Sequence, residues 1–435
     1  MKVDLVVEGA RSVLACDDEA TVLADVSIAI VEGRILHIGP SNDVANRFEP
    51  ARVLDASGHV VMPGFVNLHT HLPMTLLRGI AENVDLQDFL TLVWAEEARV
   101  MNPGGVELGA RLGAVECLLG GTTTALDMYF HPDAAHRGAA DVGLRHVGGP
   151  IFFSSDGPDS MSWPERMEEA RKWPHVLREI GGPYVPPALM PHATYTVDVD
   201  QLREVGALAR EMGALMHTHC AENDQENQQT EALRGQRPVS CLASAGVLDS
   251  RLVIGHGVRL SDRERTDIAV AGTSVAHCPG SNLKLASGAA DIVGYRADGI
   301  LVGLGTDGCS SSNDLDMFAV MRLAANLARL VREDPAAISA ADVVRMATLD
   351  GARALGLADH IGSVEAGKQA DLILIDTRSP HLTPLRDPHT AVVFAAGRSD
   401  VRHVLVDGEV VVDDRRPTRV DLPDLLSQVE AVASR

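Results

Sequence analysis

The residues best placed to do chemistry are two histidines one residue apart. His69 and His71 close the run Phe65-Val66-Asn67-Leu68-His69-Thr70-His71. In an extended chain they share a face, ~6.6 Å apart along the backbone, and two such imidazoles can close on one metal ion. The pair alone is a weak signal, because strand histidines are often hydrogen-bonded core residues. Three later apolar runs also end in His or Asp: Ala214-Leu215-Met216-His217-Thr218-His219, Leu252-Val253-Ile254-Gly255-His256 and Ile300-Leu301-Val302-Gly303-Leu304-Gly305-Thr306-Asp307. His69, His71, His219 and Asp307 then make a ligand set for one divalent ion, zinc first and iron as the alternative, with a position left for water. Such an ion would bring the pKa of that water towards ~7.

Glu222 lies three residues beyond His219, where a loop carboxylate can move a proton between nucleophile and substrate. His256 can orient the attacked group, and Asp307 can accept a proton as well as ligate. His217 lies two residues deeper than His219 on the same face, so it is expected to support the ligands rather than join them. His277, in Ala276-His277-Cys278-Pro279, is expected in a supporting role too. Asp127 reads as a buried, satisfied carboxylate.

Ligands at the C-terminal ends of successive strands call for a parallel barrel. Eight β-branched or apolar runs alternate with helical stretches, at residues 60–71, 122–130, 146–154, 185–192, 214–219, 252–256, 273–277 and 300–307. Helices are expected over 106–119, 197–212, 315–332 and 340–355. The fold class is α/β, a (β/α)8 TIM-like barrel over residues 59–361. No GxGxxG opens a helix, which argues against a doubly wound sheet. The ends of the chain are strand-rich, with a glycine turn at Glu32-Gly33-Arg34 and another at Asp407-Gly408. Residues 1–58 and 362–435 are expected to build one small β-sandwich together.

The formal charge of −22, from 60 acidic and 38 basic residues, excludes the basic footprint of a nucleic-acid binder. No apolar run approaches the ~18 residues of a membrane span, and no signal-peptide pattern opens the chain. The cytoplasm is the expected compartment. Six scattered cysteines without CxxC spacing read as reduced thiols. The partner implied is a small heterocyclic substrate.

Several motifs together resemble the amidohydrolase superfamily, and within it the mononuclear aminohydrolases. They are Pro63-Gly64-Phe65-Val66-Asn67-Leu68-His69-Thr70-His71, His217-Thr218-His219-Cys220-Ala221-Glu222, Gly255-His256-Gly257-Val258, Ser281-Asn282-Leu283-Lys284-Leu285 and Gly305-Thr306-Asp307-Gly308. Met74-Thr75-Leu76-Leu77-Arg78-Gly79, Trp94-Ala95-Glu96-Glu97-Ala98 and Asp307-Gly308-Cys309-Ser310-Ser311-Ser312 are most similar to the 5-methylthioadenosine/S-adenosylhomocysteine deaminase group. The resemblance implies hydrolytic deamination of an adenosine-type nucleoside by a homo-oligomeric enzyme. Deamination of a free purine or pterin base, or hydrolysis of a triazine, is the alternative. It also implies that Glu97 holds ribose hydroxyls, that His192 contacts substrate, and that Trp94 lies beside it. Binuclear barrels of this kind bridge two metals with a lysine at the end of the fourth strand. The four lysines here (Lys2, Lys172, Lys284 and Lys368) leave none for that position, so one metal is expected. Residues 146–157 lack the arginines that such deaminases use for a homocysteine carboxylate, and Arg166 and Arg171 follow in a helical stretch.

Overall fold

Gly64 divides the first expected strand in two. A Cβ at this position would lie 2.1 Å from the Thr123 side chain, so only glycine fits where the chain passes from one sheet to another. His59–Pro63 joins a large terminal sheet, and Phe65–His71 (β1) opens the barrel. The computed structural model describes residues 1–84 and 86–433.

The remaining barrel strands are Thr122–Met128 (β2), Arg145–Gly149 (β3), Ala188–Pro191 (β4), Leu215–Cys220 (β5), Leu252–His256 (β6), Ser274–His277 (β7) and Val302–Leu304 (β8). All pair in parallel with their neighbours, and two short extensions carry the ladder across its gaps. Pro150 has no N–H to give, and beyond it the chain continues as Ile151–Phe152, paired with β4 instead of β2. After β8, Asp307–Gly308 pairs with Thr70 and His71 of β1, so the ladder returns to its first strand. Gly305 makes that return possible, since a Cβ there would meet the His69 side chain at 2.9 Å. The chain is therefore of the α/β barrel type, with every ligand-bearing strand pointing the same way.

The expected helix over 340–355 is two helices, Ala340–Met346 and Leu349–Ala354. Thr348 leaves helical geometry between them and donates from Oγ1 to the Val344 carbonyl at 2.8 Å. The turn lets Gly351 press on Val66, where a Cβ would come within 2.9 Å. Elsewhere caps set the ends: Asn102 starts Pro103–Leu119, and Asp316 delays the last long helix to Met317–Arg332.

Both chain ends feed one nine-stranded sheet, in which Lys2–Leu14, His59–Pro63 and Leu372–Asp376 are consecutive neighbours. Alternation along these strands serves two cores. Val61, Leu372 and Leu374 face the sheet's own core, whereas Val60, Met62, Ile373 and Ile375 face the barrel. Among the described residues, no helix is long and apolar enough to cross a membrane.

Candidate active site

Three imidazoles and one carboxylate meet at the C-terminal ends of β1, β5 and the Asp307 segment. The Nε2 atoms of His69 and His71 lie 3.3 and 3.2 Å from Asp307 Oδ1, and those of His71 and His219 lie 3.3 Å apart. The contacts behind the rings fix where the protons are. His71 Nδ1 is 2.6 Å from the Met128 carbonyl, and His219 Nδ1 is 2.9 Å from the His192 carbonyl. A carbonyl only accepts, so each ring carries its proton on Nδ1 and turns a lone pair to the centre. His69 reaches the same state through a relay. His217 Nδ1 donates to the Val253 carbonyl at 2.8 Å, so its Nε2 accepts from His69 Nδ1 at 2.7 Å. His69 Nε2 is then buried with no hydrogen-bond partner among the described residues. Converging acceptors with no donor between them fit a divalent cation.

Proton affinities differ sharply within the cluster. Burial pushes His69 down to about 4 against the pull of Asp307. Burial lowers His71 too, but Asp307 and the Met128 carbonyl outweigh it and hold this ring at about 9. A cation binding here takes the place of that proton.

Asp307 is aimed by the Gly308 amide at 2.8 Å on Oδ1 and by the Ser311 hydroxyl at 2.8 Å on Oδ2. Its φ of 64° and the φ of 69° at His256 are left-handed values that non-glycine residues rarely adopt. His256 Nδ1 meets Asn282 Oδ1 at 3.0 Å, which leaves Nε2 facing Glu222 Oε2 at 3.8 Å. Burial raises the Glu222 carboxyl above its usual range, with His256 pulling it back. Burial lowers His256, but the charges of Glu222 and Asp307 leave it raised overall.

His71, His219, Glu222, His256 and Asp307 floor a cavity at this end of the barrel. Trp94, Glu97 and His192 line it, with Tyr129, Phe130 and Phe153. Tyr129 donates to Glu97 Oε1 at 2.6 Å, while Oε2 is buried without a partner among the described residues. Burial pushes Glu97 up to about 7. His192 Nδ1 lies 3.0 Å from the Thr196 hydroxyl, which itself donates to the Ala193 carbonyl, so the ring offers Nε2 as an acceptor. Phe153 stacks on His192 with centroids 4.7 Å apart, and Trp94 meets both rings edge-on. Leu90, Trp94, Phe153 and Tyr195 also border an outer recess that contains Ser154, Ser155 and Arg234.

His71, His219, Asp307, Glu222 and His256 thus sit together on the cavity floor, His69 is buried directly against Asp307, and His217 stands behind His69. His277 stays apart: it is buried, and neither ring nitrogen has a partner among the described residues. Asp127 is buried, bonded to the Leu72 amide at 2.7 Å and to His146 at 3.0 Å. Arg166 is also buried, with its guanidinium held by Asp159 and by the Ile151 and Asp156 carbonyls. Sequence reasoning missed Tyr129, Asn282 and Ser311. Asn282 and Ser311 stood inside quoted motifs, and Tyr129 follows β2 directly, but their partners lie across the barrel and left no local trace.

Against known proteins, the amidohydrolase family model matches residues 60–411. A 5-methylthioadenosine/S-adenosylhomocysteine deaminase of Symbiobacterium thermophilum is 40% identical over 434 residues, covering 99% of this chain and 98% of that one. A 5'-deoxyadenosine deaminase of Methanothermobacter thermautotrophicus is 38% identical over 416 residues, with 94% of each chain covered. The crystal structure of an adenosine deaminase from Xanthomonas campestris with bound zinc superposes with a TM-score of 0.96 at 37% identity, covering 100% of this chain and 98% of that one. Sequence match and superposition both run through the strands that carry the histidine cluster, and this chain belongs to the amidohydrolase family.

Proposed function

We propose that the chain is a metal-dependent hydrolytic deaminase of an adenosine-type nucleoside (5-methylthioadenosine, adenosine or S-adenosylhomocysteine) that releases ammonia. The observation that carries this is the set of inward lone pairs on His69, His71 and His219 beside Asp307, with Glu222 and His256 against it in one cavity. The deaminases named above, one of them zinc-bound, support both reaction and metal. A divalent ion bound by His69, His71, His219 and Asp307 supplies Lewis acidity that makes water nucleophilic near neutral pH.

The chain's own groups do the rest. Glu222, raised by burial, takes a proton from the nucleophile and returns it to the heterocycle or to the departing amine. His256, steered by Asn282, holds the attacked carbon's new oxygen in place. Asp307 accepts a proton at Oδ2, where Ser311 already bonds. The free oxygen of Glu97 takes a ribose hydroxyl, while Trp94, Phe153 and His192 enclose the heterocycle and exclude water. Arg166 is committed to Asp159, and Arg234 in the outer recess is paired with Asp198. That commitment favours methylthioadenosine or adenosine over a substrate with a free carboxylate.

The test is kcat/KM on adenosine, methylthioadenosine, S-adenosylhomocysteine, guanine and 8-oxoguanine, read as ammonia release. Preference for the nucleosides is expected. A clear preference for a bare base would reject the nucleoside reading and leave the metal site untouched.

A further inference from the structure

Glu226 is a buried carboxylate for which the chemistry above has no use. It is 1% exposed and stands in the first turn of the helix Asp224–Arg234, with no ion pair among the described residues, although the charges of Glu222 and His256 both act on it. Its partners are two consecutive backbone amides. Oε1 accepts from the Ala221 N–H at 3.1 Å and Oε2 from the Glu222 N–H at 2.6 Å. Ala221 has a φ of 53°, and a left-handed residue at such a turn swings successive N–H groups to one side, where they form a concave anion seat.

Other helices of the chain show what an ordinary acid at this position does. At Ser162, Ser261 and Ser339 the third-position acid (Glu165, Glu264 or Asp342) reaches back to the amide of the capping residue itself, at 2.8, 2.9 and 3.3 Å. Asn223 performs the forward half of that arrangement, accepting from the Glu226 amide at 2.7 Å. The Glu226 carboxylate passes over Asn223 and binds the two residues before it. Burial of this acid is costly, and it pushes the carboxyl up to about 7 even with both amides pulling it down. A solvent-facing cap would have avoided that cost. The cost is accepted at the one turn that carries Glu222.

From this geometry we infer that Glu226 is a positioning residue for the reaction. Its carboxylate clamps the strained Ala221–Glu222 turn and so holds the Glu222 side chain at the distance and angle needed to move its proton. The inference rests on the reading of Glu222 as proton carrier.

The test uses the full-length, metal-loaded enzyme and the variants E226Q, E226D, E222Q and E222Q/E226Q. In E226Q one amide keeps an acceptor, but the new NH2 faces the other N–H. In E226D the charge stays while the shorter side chain cannot reach both amides. Either change should lower kcat by about 10- to 100-fold, the scale of a small misplacement at a reacting centre. KM and metal content should remain within about twofold of wild type. The double variant should be no slower than E222Q alone, because a residue that acts through Glu222 has nothing left to position. Wild-type kcat in both E226Q and E226D would overturn the inference. So would kcat losses that track lost metal, or a double variant slower than E222Q by the full E226Q factor. If E222Q itself kept its rate, the fault would lie with the reading of Glu222.

Discussion

Glu222 and Glu97 are both buried acids, yet different environments fit them for different tasks. Glu222 faces His256 across 3.8 Å and the ligand cluster beyond, so its proton has somewhere to go. On the proposed role of Glu222, Glu222→Gln keeps the shape and removes the proton carrier. Metal content by elemental analysis should stay near one ion per chain, while ammonia release falls by ~10²–10⁴-fold. Glu97 faces apolar walls, with one oxygen held by Tyr129 and the other without a partner among the described residues. A ribose hydroxyl needs that oxygen ionised, and burial holds the carboxyl at about 7. KM for adenosine should therefore rise as pH falls from 8 to 6, and Glu97→Gln should flatten the dependence. The stability effect has a definite sign. A carboxyl raised in the folded state contributes stability below its unfolded value near 4.5 and loses it as pH rises through about 7. Glu97→Gln should accordingly raise Tm more at pH 8 than at pH 5.

At the scale of elements, the site depends on what lies one layer behind each strand end. His217 and His219 share a face of β5, and their depth separates their tasks: His219 turns Nε2 to the centre, while His217 relays the Val253 carbonyl to His69. His217→Leu removes the acceptor that fixes the His69 proton, so His69 loses the bond that keeps its lone pair inward. Metal affinity should fall by ~10–100-fold in competition with a chelator. Unchanged affinity would show that packing alone orients His69. The break of β3 at Pro150 and the glycine at 305 belong to the same scale, since they let short extensions close the gaps next to β4 and β1.

Over the whole molecule, an ion at this centre joins parts of the chain more than two hundred residues apart, from His69 to Asp307. Binding to the folded state alone stabilises it by about 2.7 kcal/mol at a hundredfold excess over Kd. Chelation should lower Tm, and zinc should restore it. His69→Ala should show neither change, because the cluster loses its central nitrogen.

How much of this was legible beforehand follows from the range of the interactions. Local pattern determined the alternation of strands and helices, the parallel arrangement and the strand-end positions of His69, His71, His219, His256 and Asp307, because period-two facing and apolar runs are properties of neighbouring residues. It also separated His217 from His219 by depth alone. Tertiary structure decided the rest. Only when β1, β5 and the Asp307 segment lie side by side does the His69–His217–Val253 relay exist, and only that relay says which nitrogen holds the proton. The single helix expected over 340–355 is broken because Gly351 must approach Val66, a contact across 285 residues that no local window contains. Tyr129 on Glu97, Asn282 on His256 and the clamp of Glu226 on the Ala221–Glu222 turn are set by side-chain directions fixed in the packed barrel. The sequence determined which atoms are present and on which strands; packing decided which of them meet, because hydrogen bonds act over ångströms in space and not along the chain.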